Sequence, residues 1–87
     1  MLRSHQPKVF IKQYKKLPLK IRQKFNERLI AFETNPFNII LNNHSLHGEY
    51  GGYNSINITG DYRAIYFMNN DMAVFIRIGT YSELFGK

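Results

Sequence analysis

The sequence predicts an α+β fold in which an N-terminal helical hairpin packs on a small antiparallel sheet. Two observations support this prediction. Apolar residues recur at helical spacing through residues 7–33, and three short runs with strand character follow one another through residues 53–78. The chain has 87 residues, which is enough for one domain, residues 1–87, with a single modest hydrophobic core.

A short strand over residues 2–6 is expected to precede two helices, which begin near Pro7 and Pro18. Proline is tolerated in the first turn of a helix, where its missing N–H costs no hydrogen bond. The apolar stripe of the first helix is Val9, Phe10, Tyr14 and Leu17, and that of the second is Ile21, Phe25, Leu29 and Phe32. The second helix should end before Pro36, because the residue preceding a proline disfavours helical geometry.

The sheet is predicted to follow a long loop. Residues 36–52 are rich in Asn, Gly and His, and their main apolar anchor is Ile39–Leu41. Loops of this length in a small domain are often functional. Three strands are then expected over residues 53–59, 62–68 and 72–78, the last two joined by a three-residue turn. Consecutive short strands of this kind indicate an antiparallel meander.

The alternation of side chains along the strands predicts which face of the sheet is buried. The even positions of the first and third strands are apolar and should face the helices: Ile56, Ile58, Met72, Val74, Ile76 and Ile78. Polar and charged residues could then converge on the uncovered face: Asn57, Asp61, Arg63, Arg77 and Tyr81. For Arg77 alone, the favoured interpretation is an ordinary exposed strand residue.

The charge of the chain is uneven. Residues 1–35 hold nine Lys and Arg against two Glu, a net +7, whereas residues 36–87 hold three against four acids, a net −1. A basic segment of this kind favours nucleic acid or an acidic protein as partner, although a solvated lysine-rich helix face has the same composition. The chain has no cysteine and no apolar run long enough for a membrane span, so a cytoplasmic protein without disulfides is expected.

Two stretches identify a resemblance that extends over essentially the whole chain. They are "NHSLHGEYGGYNSINITGDYRAIY" and "FIRIGTYSELFG". Their His-x-Leu-x-Gly loop, Gly-Asp-Tyr-Arg turn and Ile-Gly-Thr-x-Ser-Glu-Leu-Phe ending resemble the RelE/ParE toxin superfamily, and within it the YafQ-like mRNA interferases of type II toxin–antitoxin systems. The resemblance implies elements in the order β-α-α-β-β-β, a cognate antitoxin, and ribosome-dependent endoribonuclease activity that inhibits translation.

The resemblance also implies site residues. His44, Asp61 and Phe85 match positions of the family's site, and Arg63 matches a basic residue common in its turn. Three positions depart from the family pattern: Asn57 and Tyr81 stand where histidines are usual, and Tyr62 stands where another aromatic, often tryptophan, is expected. The predicted catalytic residues are His44, Asp61, Arg63, Tyr81 and Phe85, and the predicted RNA-binding residues are Lys12, Lys15, Lys16, Asn57 and Tyr62.

The chemistry of metal-free RNA cleavage explains why these residue types are needed. The 2′-hydroxyl must lose a proton, the 5′-oxygen must gain one, and the charge on phosphorus must be stabilised. His44 and Asp61 are the candidates for proton transfer, Arg63 for phosphate binding, and the Tyr81 phenol for donation to a phosphate or leaving oxygen. Tyr50, Tyr53 and Tyr62 flank the loop and turn, and one of them is expected to stack on a base.

No metal or other cofactor is expected, because His44 and His47 form a lone pair without an evident third ligand. His47 is expected to face solvent or to cap the turn at Gly48. Two further functions stay open at this point: a ParE-like toxin that inhibits DNA gyrase without nuclease chemistry, and a relative with a degraded active site that still binds an antitoxin.

Overall fold

The computed structural model describes residues 1–86, and within them it has three α-helices and one five-stranded sheet. This confirms the predicted α+β class. The helices are α1 (Lys8–Lys15), α2 (Leu19–Thr34) and α3 (Tyr81–Phe85), with short 3₁₀ turns at Ile39–Leu41 and Gly48–Tyr50. The strands are β1 (Arg3–His5), β2 (His44–Ser45), β3 (Asn54–Asn57), β4 (Tyr62–Asn69) and β5 (Met72–Thr80).

The predicted helical hairpin is present. Helix α1 begins directly after Pro7, and α2 begins directly after Pro18 and ends two residues before Pro36. Among residues 1–86, no helix combines the length and the apolar composition that crossing a bilayer requires.

The sheet is mixed, with strand order β1-β5-β4-β3-β2. Strands β3, β4 and β5 pair antiparallel as predicted, and β2 pairs antiparallel with β3, whereas β1 pairs parallel with β5, with Arg3 opposite Met72. The chain leaves β1 through two helices before it returns to the sheet, and a crossover of that length permits a parallel pair. The prediction of a purely antiparallel sheet was therefore wrong for this one edge.

Two segments have more regular structure than the sequence indicated. The expected loop over residues 36–52 contains both 3₁₀ turns and the short strand β2, which adds a fifth strand at the edge. The end of the chain folds into α3 directly after β5.

The β4–β5 turn is also one residue shorter than predicted, because Asn69 already pairs with Met72, and Asn70 adopts a left-handed conformation with φ of 58°.

One face of the sheet holds an aromatic core against α1 and α2. Phe32 lies with its ring centre 4.9 Å from Tyr66 and 5.4 Å from Phe75, and Phe10 lies 5.3 Å from Phe25. All five side chains are buried. The prediction that the helix phenylalanines pack in the core is confirmed.

The predicted face assignment of β5 was wrong over most of the strand. Ala73 and Phe75 are fully buried, while Met72, Val74 and Ile76 are only partly buried. The cause is a β-bulge: Ile65 pairs with Arg77 but Tyr66 pairs with Phe75, so Ile76 is an extra residue. The alternation therefore changes phase at Ile76, and only Ile78 beyond it follows the prediction.

Candidate functional site

Four side chains form a row across the face of the sheet that α1 and α2 do not cover. The strand registers place His44 opposite Ser55, Ser55 opposite Ile65, and Ile65 opposite Arg77. Residues directly opposite each other in neighbouring antiparallel strands share a face of the sheet. The row therefore runs from β2 to β5, on the side away from the aromatic core.

The bulge in β5 is what allows Arg77 to join this row. Without the extra residue Ile76, regular alternation would place Arg77 on the same face as Phe75, which belongs to the core. Arg77 is instead partly buried on the open face, and its Nη1 donates a hydrogen bond to the Tyr50 hydroxyl. The interpretation of Arg77 as an ordinary exposed strand residue was wrong.

A cleft of about 190 Å³ lies on this open face. The row supplies two of its lining residues, β4 supplies one, the loop before β3 supplies three, and α3 supplies two. The lining residues are His44, Leu46, His47, Tyr50, Ser55, Arg63, Tyr81 and Phe85. Four of the five predicted catalytic residues are thus brought together in one cleft.

His44 is exposed, and its ring orientation is set by a hydrogen bond. Its Nδ1 lies 2.7 Å from the carbonyl oxygen of Asn42. Since a carbonyl oxygen only accepts, Nδ1 carries the proton, and in the neutral ring Nε2 keeps a free lone pair. Such a ring can accept a proton at Nε2.

Asn43 fixes the segment just before His44. The hydroxyl of the buried Tyr66 donates to Asn43 Oδ1 at 2.8 Å, and Asn43 Nδ2 donates to the carbonyl of Pro36 at 2.9 Å. Burial raises the pKa of Tyr66, and the hydrogen bond to Asn43 opposes that shift. The aromatic core thus holds the short strand that carries His44.

Arg63 combines a structural contact with a place in the cleft. Its Nη1 donates to the carbonyl oxygens of Thr59 at 2.9 Å, Gly60 at 3.1 Å and Tyr62 at 3.1 Å. Its guanidinium carbon also lies 5.9 Å from the centre of the Tyr81 ring. Within residues 1–86 these bonds all use Nη1, so the guanidinium keeps other N–H groups for an anion.

Helix α3 folds back onto the open face and places Tyr81 and Phe85 in the cleft. Thr80 and Glu83 form a capping box, in which Glu83 N–H donates to Thr80 Oγ1 at 3.1 Å and Thr80 N–H donates to Glu83 Oε1 at 2.7 Å. The rings of Tyr81 and Phe85 are 4.9 Å apart, and Leu84 is buried.

Gly79 makes this close approach of α3 possible through its size. A Cβ atom at position 79 would lie 2.9 Å from Glu83 Oε1 and 3.6 Å from Leu84 Cδ2. The absence of a side chain at Gly79 therefore leaves the space that α3 occupies.

Tyr50 connects the loop, the sheet and α3. Its hydroxyl accepts from Arg77 and donates to the carbonyl oxygen of Leu84 at 3.3 Å. Its ring meets that of Phe85 at a centroid distance of 5.8 Å in an edge-to-face arrangement. Because these contacts act on α3, they also position the two aromatic side chains that α3 contributes to the cleft.

Asp61 lies next to the cleft without lining it. It is exposed in the turn before β4, its N–H donates to Thr59 Oγ1 at 3.2 Å, and its carbonyl oxygen accepts from Tyr81 N–H at 2.9 Å. These contacts involve the backbone of Asp61, which helps to orient the start of α3.

The predicted RNA-binding residues are dispersed. Asn57 is opposite Arg63 on the open face, whereas Tyr62 packs against the core and lines a separate hollow beside α1, together with Lys16. Lys12 and Lys15 line a third cavity, along α1. The structure therefore places Asn57 on the face of the cleft and leaves the other four away from it.

Two polar atoms on the open face are buried without a partner in the described residues. They are Ser55 Oγ and Asn57 Oδ1, and Ser55 as a whole is only 1% exposed. Buried polar groups in native structures are nearly always hydrogen-bonded to protein, water or ligand. Ser55 lies on the floor of the cleft, so this surface can form additional hydrogen bonds with a bound molecule.

Several cleft residues were not among the predicted catalytic and RNA-binding residues, although Tyr50 was one of three candidates for stacking on a base. The shared parity of Ser55 and Asn57 was a usable signal for Ser55. Leu46, His47 and Tyr50 come from an irregular loop, for which no periodicity exists. His47 is exposed, as expected, yet it also lines the cleft.

The arrangement is suited to proton transfer beside an anion. An imidazole with a free Nε2, a phenol and a guanidinium surround one small cleft, and aromatic rings form its wall. Within residues 1–86, no group of three or more His, Cys, Asp or Glu side chains is placed to hold a metal ion.

The comparison with protein families gives one match over nearly the whole chain. Residues 2–86 match the family described as bacterial toxin of type II toxin–antitoxin system, YafQ. The comparison with curated proteins gives no match.

Three solved structures similar to this one contain bacterial toxins. A copper-bound mutant toxin from Helicobacter pylori is 27% identical, with a TM-score of 0.79 over 98% of this chain and 100% of that chain. The DinJ–YafQ toxin–antitoxin complex from Escherichia coli is 24% identical, with a TM-score of 0.70 over 99% and 100%. The YoeB/ParE toxin from Agrobacterium tumefaciens is 18% identical, with a TM-score of 0.75 over 92% and 99%. The last two show the shared fold.

Proposed function

We propose that this chain, which belongs to the YafQ family of bacterial toxins of type II toxin–antitoxin systems, is a metal-independent endoribonuclease that cleaves mRNA on the ribosome. The observation that supports this most is the convergence of His44, Arg63, Tyr81 and Phe85 on one cleft. A base, a cationic group and a hydroxyl donor are the groups that cleavage at a 2′-hydroxyl needs.

His44 is the proposed general base. Its Nε2 takes the proton of the 2′-hydroxyl, because Nδ1–H is held by the carbonyl of Asn42. The 2′-oxygen then forms a bond to phosphorus while the bond from phosphorus to the 5′-oxygen breaks. The products are a 2′,3′-cyclic phosphate and a free 5′-hydroxyl.

Arg63 and Tyr81 are proposed to act on the charge that develops in this step. The guanidinium of Arg63 stabilises the phosphate oxygens, and the Tyr81 hydroxyl donates a hydrogen bond to the leaving 5′-oxygen, which then takes its final proton from water or from His44. Phe85 shapes the wall of the cleft, and the Asn57 amide contacts the RNA strand. Asp61 supports the start of α3 through its backbone, so we assign proton removal to His44 in preference to Asp61.

The proposed partners are a cognate antitoxin, the ribosome and its mRNA. The net +7 of residues 1–35 favours association with ribosomal RNA. A gyrase inhibitor would not require this arrangement of proton-transfer groups. A degraded active site is less compatible with a cleft that keeps a base, a cation and a hydroxyl donor.

Single-turnover cleavage on programmed ribosomes tests the proposal. We expect His44→Ala to lower the rate by about 10²- to 10⁴-fold and Tyr81→Phe by on the order of 10²-fold, with ribosome binding unchanged. Tyr81→His should keep or increase activity, and Asp61→Asn should have a small effect. Full activity of His44→Ala would overturn the assigned base. Intact mRNA with stalled replication after expression of the wild type would favour gyrase inhibition.

A further inference from the structure

We infer that a hollow at the end of α3 holds a guanine base of the RNA, next to the cut, and that Glu49 selects this base. The inference deepens the proposed function and rests on it for the assignment of RNA as the ligand. The hollow has a volume of about 330 Å³. Its lining residues come from the loop before β3 and from α3, and they are His47, Glu49, Tyr50, Leu84, Phe85 and Gly86.

The hollow adjoins the cleft that contains the proposed catalytic residues. His47, Tyr50 and Phe85 line both of them. In the proposed reaction the scissile phosphate lies in the cleft, so a nucleoside attached to that phosphate extends beyond it. The shared wall makes the hollow the neighbouring space that its base can enter.

Two aromatic rings give the hollow a surface for stacking. The rings of Tyr50 and Phe85 have centres 5.8 Å apart and planes at 82°, so a base that stacks on one ring meets the edge of the other. The Tyr50 ring is held in place, because its hydroxyl is hydrogen-bonded to Arg77 and to the carbonyl oxygen of Leu84. Stacking of this kind supports any base. A further group must therefore determine which base binds.

The carboxylate of Glu49 is that group. Glu49 belongs to the 3₁₀ turn Gly48–Tyr50, which a 3.0 Å hydrogen bond from Gly51 N–H to the carbonyl oxygen of Gly48 closes. Its side chain is exposed, and within residues 1–86 no Lys, Arg or His forms an ion pair with it. Because a carboxylate repels phosphate, it favours RNA binding only where it accepts hydrogen bonds from a base.

The arrangement of donors on the bases selects guanine. A carboxylate has two oxygens and only accepts. Guanine alone has two donors side by side on its Watson–Crick edge, N1–H and the N2 amino group. Adenine and cytosine have an amino group beside an acceptor nitrogen, and uracil has one N–H between two carbonyls. The O6 atom of guanine, next to N1, can accept from an N–H of His47. The hollow therefore fits guanine better than the other three bases.

The test uses dinucleoside monophosphates with a 2′-O-methyl group, which prevents cleavage. GpU and UpG place guanine on either side of the phosphate, and UpU is the reference. Inosine in place of guanosine removes the N2 amino group, whereas 7-deazaguanosine changes only the opposite edge of the base. Affinities are measured by NMR titration of the wild type, of Glu49→Gln, and of the control Glu27→Gln, which removes the same charge from an exposed position of α2.

We expect the wild type to bind GpU or UpG about 10-fold more tightly than UpU, since a bidentate contact to a base edge gives discrimination of this order. Inosine should lose most of this preference, and 7-deazaguanosine should keep it. Glu49→Gln should lose the preference while its affinity for UpU stays the same or rises, because the removed charge no longer repels the phosphate. Glu27→Gln should behave like the wild type.

Three results would overturn the inference: a wild type that binds all the dinucleotides equally or none of them, a preference that persists in Glu49→Gln, and a preference that persists with inosine. Cleavage on programmed ribosomes is measured separately, with mRNAs that differ only in the bases beside the cut. Cleavage that does not depend on guanine contradicts the guanine site and leaves the proposed nuclease standing. Guanine binding by a wild type that cleaves no mRNA contradicts the nuclease and leaves the guanine site standing.

Discussion

The two faces of the sheet differ in how their side chains pack and in how many of their buried polar atoms are hydrogen-bonded. On the helix side, aromatic rings pack edge to face and the buried hydroxyl of Tyr66 has a partner in Asn43, and Arg22 Nε of α2 is the one buried polar side-chain atom of that side without a partner in the described residues. On the open side, Ser55 Oγ and Asn57 Oδ1 are buried without a partner in the described residues, and His44 and Tyr81 are exposed. The difference indicates that the helix side supplies most of the packing that stabilises the fold, while the open side keeps unused hydrogen-bonding groups for a ligand.

The largest expected effect is on the helix side. Phe75→Ala removes a fully buried ring that contacts Phe10, Phe25, Phe32 and Tyr66. We expect a loss of about 3–5 kcal/mol in the free energy of unfolding, since the cavity cannot close around so many rings. Urea denaturation followed by circular dichroism measures it. A loss below about 1 kcal/mol would show that this face is not the main source of stability.

Gly79→Ala tests the junction between the sheet and α3. The added Cβ would lie 2.9 Å from Glu83 Oε1, so either the capping box opens or α3 shifts. We expect a cost of roughly 1–3 kcal/mol, typical of overpacking, and reduced cleavage because Tyr81 moves with α3. The reference variant is Gly60→Ala, because an added Cβ there meets no atom within 4 Å. Similar stability and activity of the two variants would contradict the steric role.

Tyr50→Phe removes a hydroxyl that bridges Arg77 and the Leu84 carbonyl while keeping the ring contact with Phe85. We expect a loss of about 1–3 kcal/mol, because one of the two bonds involves a charged donor. Faster amide hydrogen exchange should be confined to α3 and its surroundings. Exchange that changes uniformly over the chain would indicate a general loss of stability.

Ser55→Ala sharpens the comparison of the two faces. The Ser55 hydroxyl is buried without a partner in residues 1–86, so its removal should leave stability unchanged or raise it slightly. If the hydroxyl bonds to bound RNA, cleavage should fall by about 10-fold, which corresponds to one hydrogen bond of roughly 1.4 kcal/mol. Loss of stability with unchanged cleavage would assign Ser55 to the packing of the protein itself.

The smallest effect concerns pH. Burial raises the pKa of Tyr66, so the folded protein favours the neutral phenol. The unfolded chain ionises first, at about pH 10, and stability should therefore decrease as the pH rises above that value. In Tyr66→Phe this contribution to the pH dependence should be absent. Equal slopes for the two proteins between pH 9 and about 11 would contradict it.

The parts of the fold that follow from periodicity were predictable. The helical hairpin, its proline boundaries and the three long strands all leave a regular pattern in the sequence. The bulge at Ile76 could not be predicted, because one inserted residue reverses the alternation without a distinctive residue type. The parallel position of β1 depends on contacts with β5, far away in the sequence, to which local patterns do not respond.

The candidate site was predictable where a motif marked it. His44, Arg63, Tyr81 and Phe85 were selected through a family resemblance, and they do meet in one cleft. Tyr50 and Arg77 were both named from the sequence, but the hydrogen bond between them could not be predicted, because it joins the sheet to a loop far away in the sequence. Tyr62 was expected near RNA, but its ring is turned towards the core, which the parity of β4 could have indicated.

The pairing of β1 with β5 also has a consequence for the order of folding. Strands β3, β4 and β5 are joined by short turns and can pair early, whereas Arg3 must find Met72 across most of the chain, at a much larger cost in loop entropy. The meander that supports the cleft is therefore expected to form before the edge formed by β1. During refolding, pulse-labelled amides of β4 should become protected sooner than those of β1. A newly made chain would then complete the face that carries the cleft before it completes the edge formed by β1.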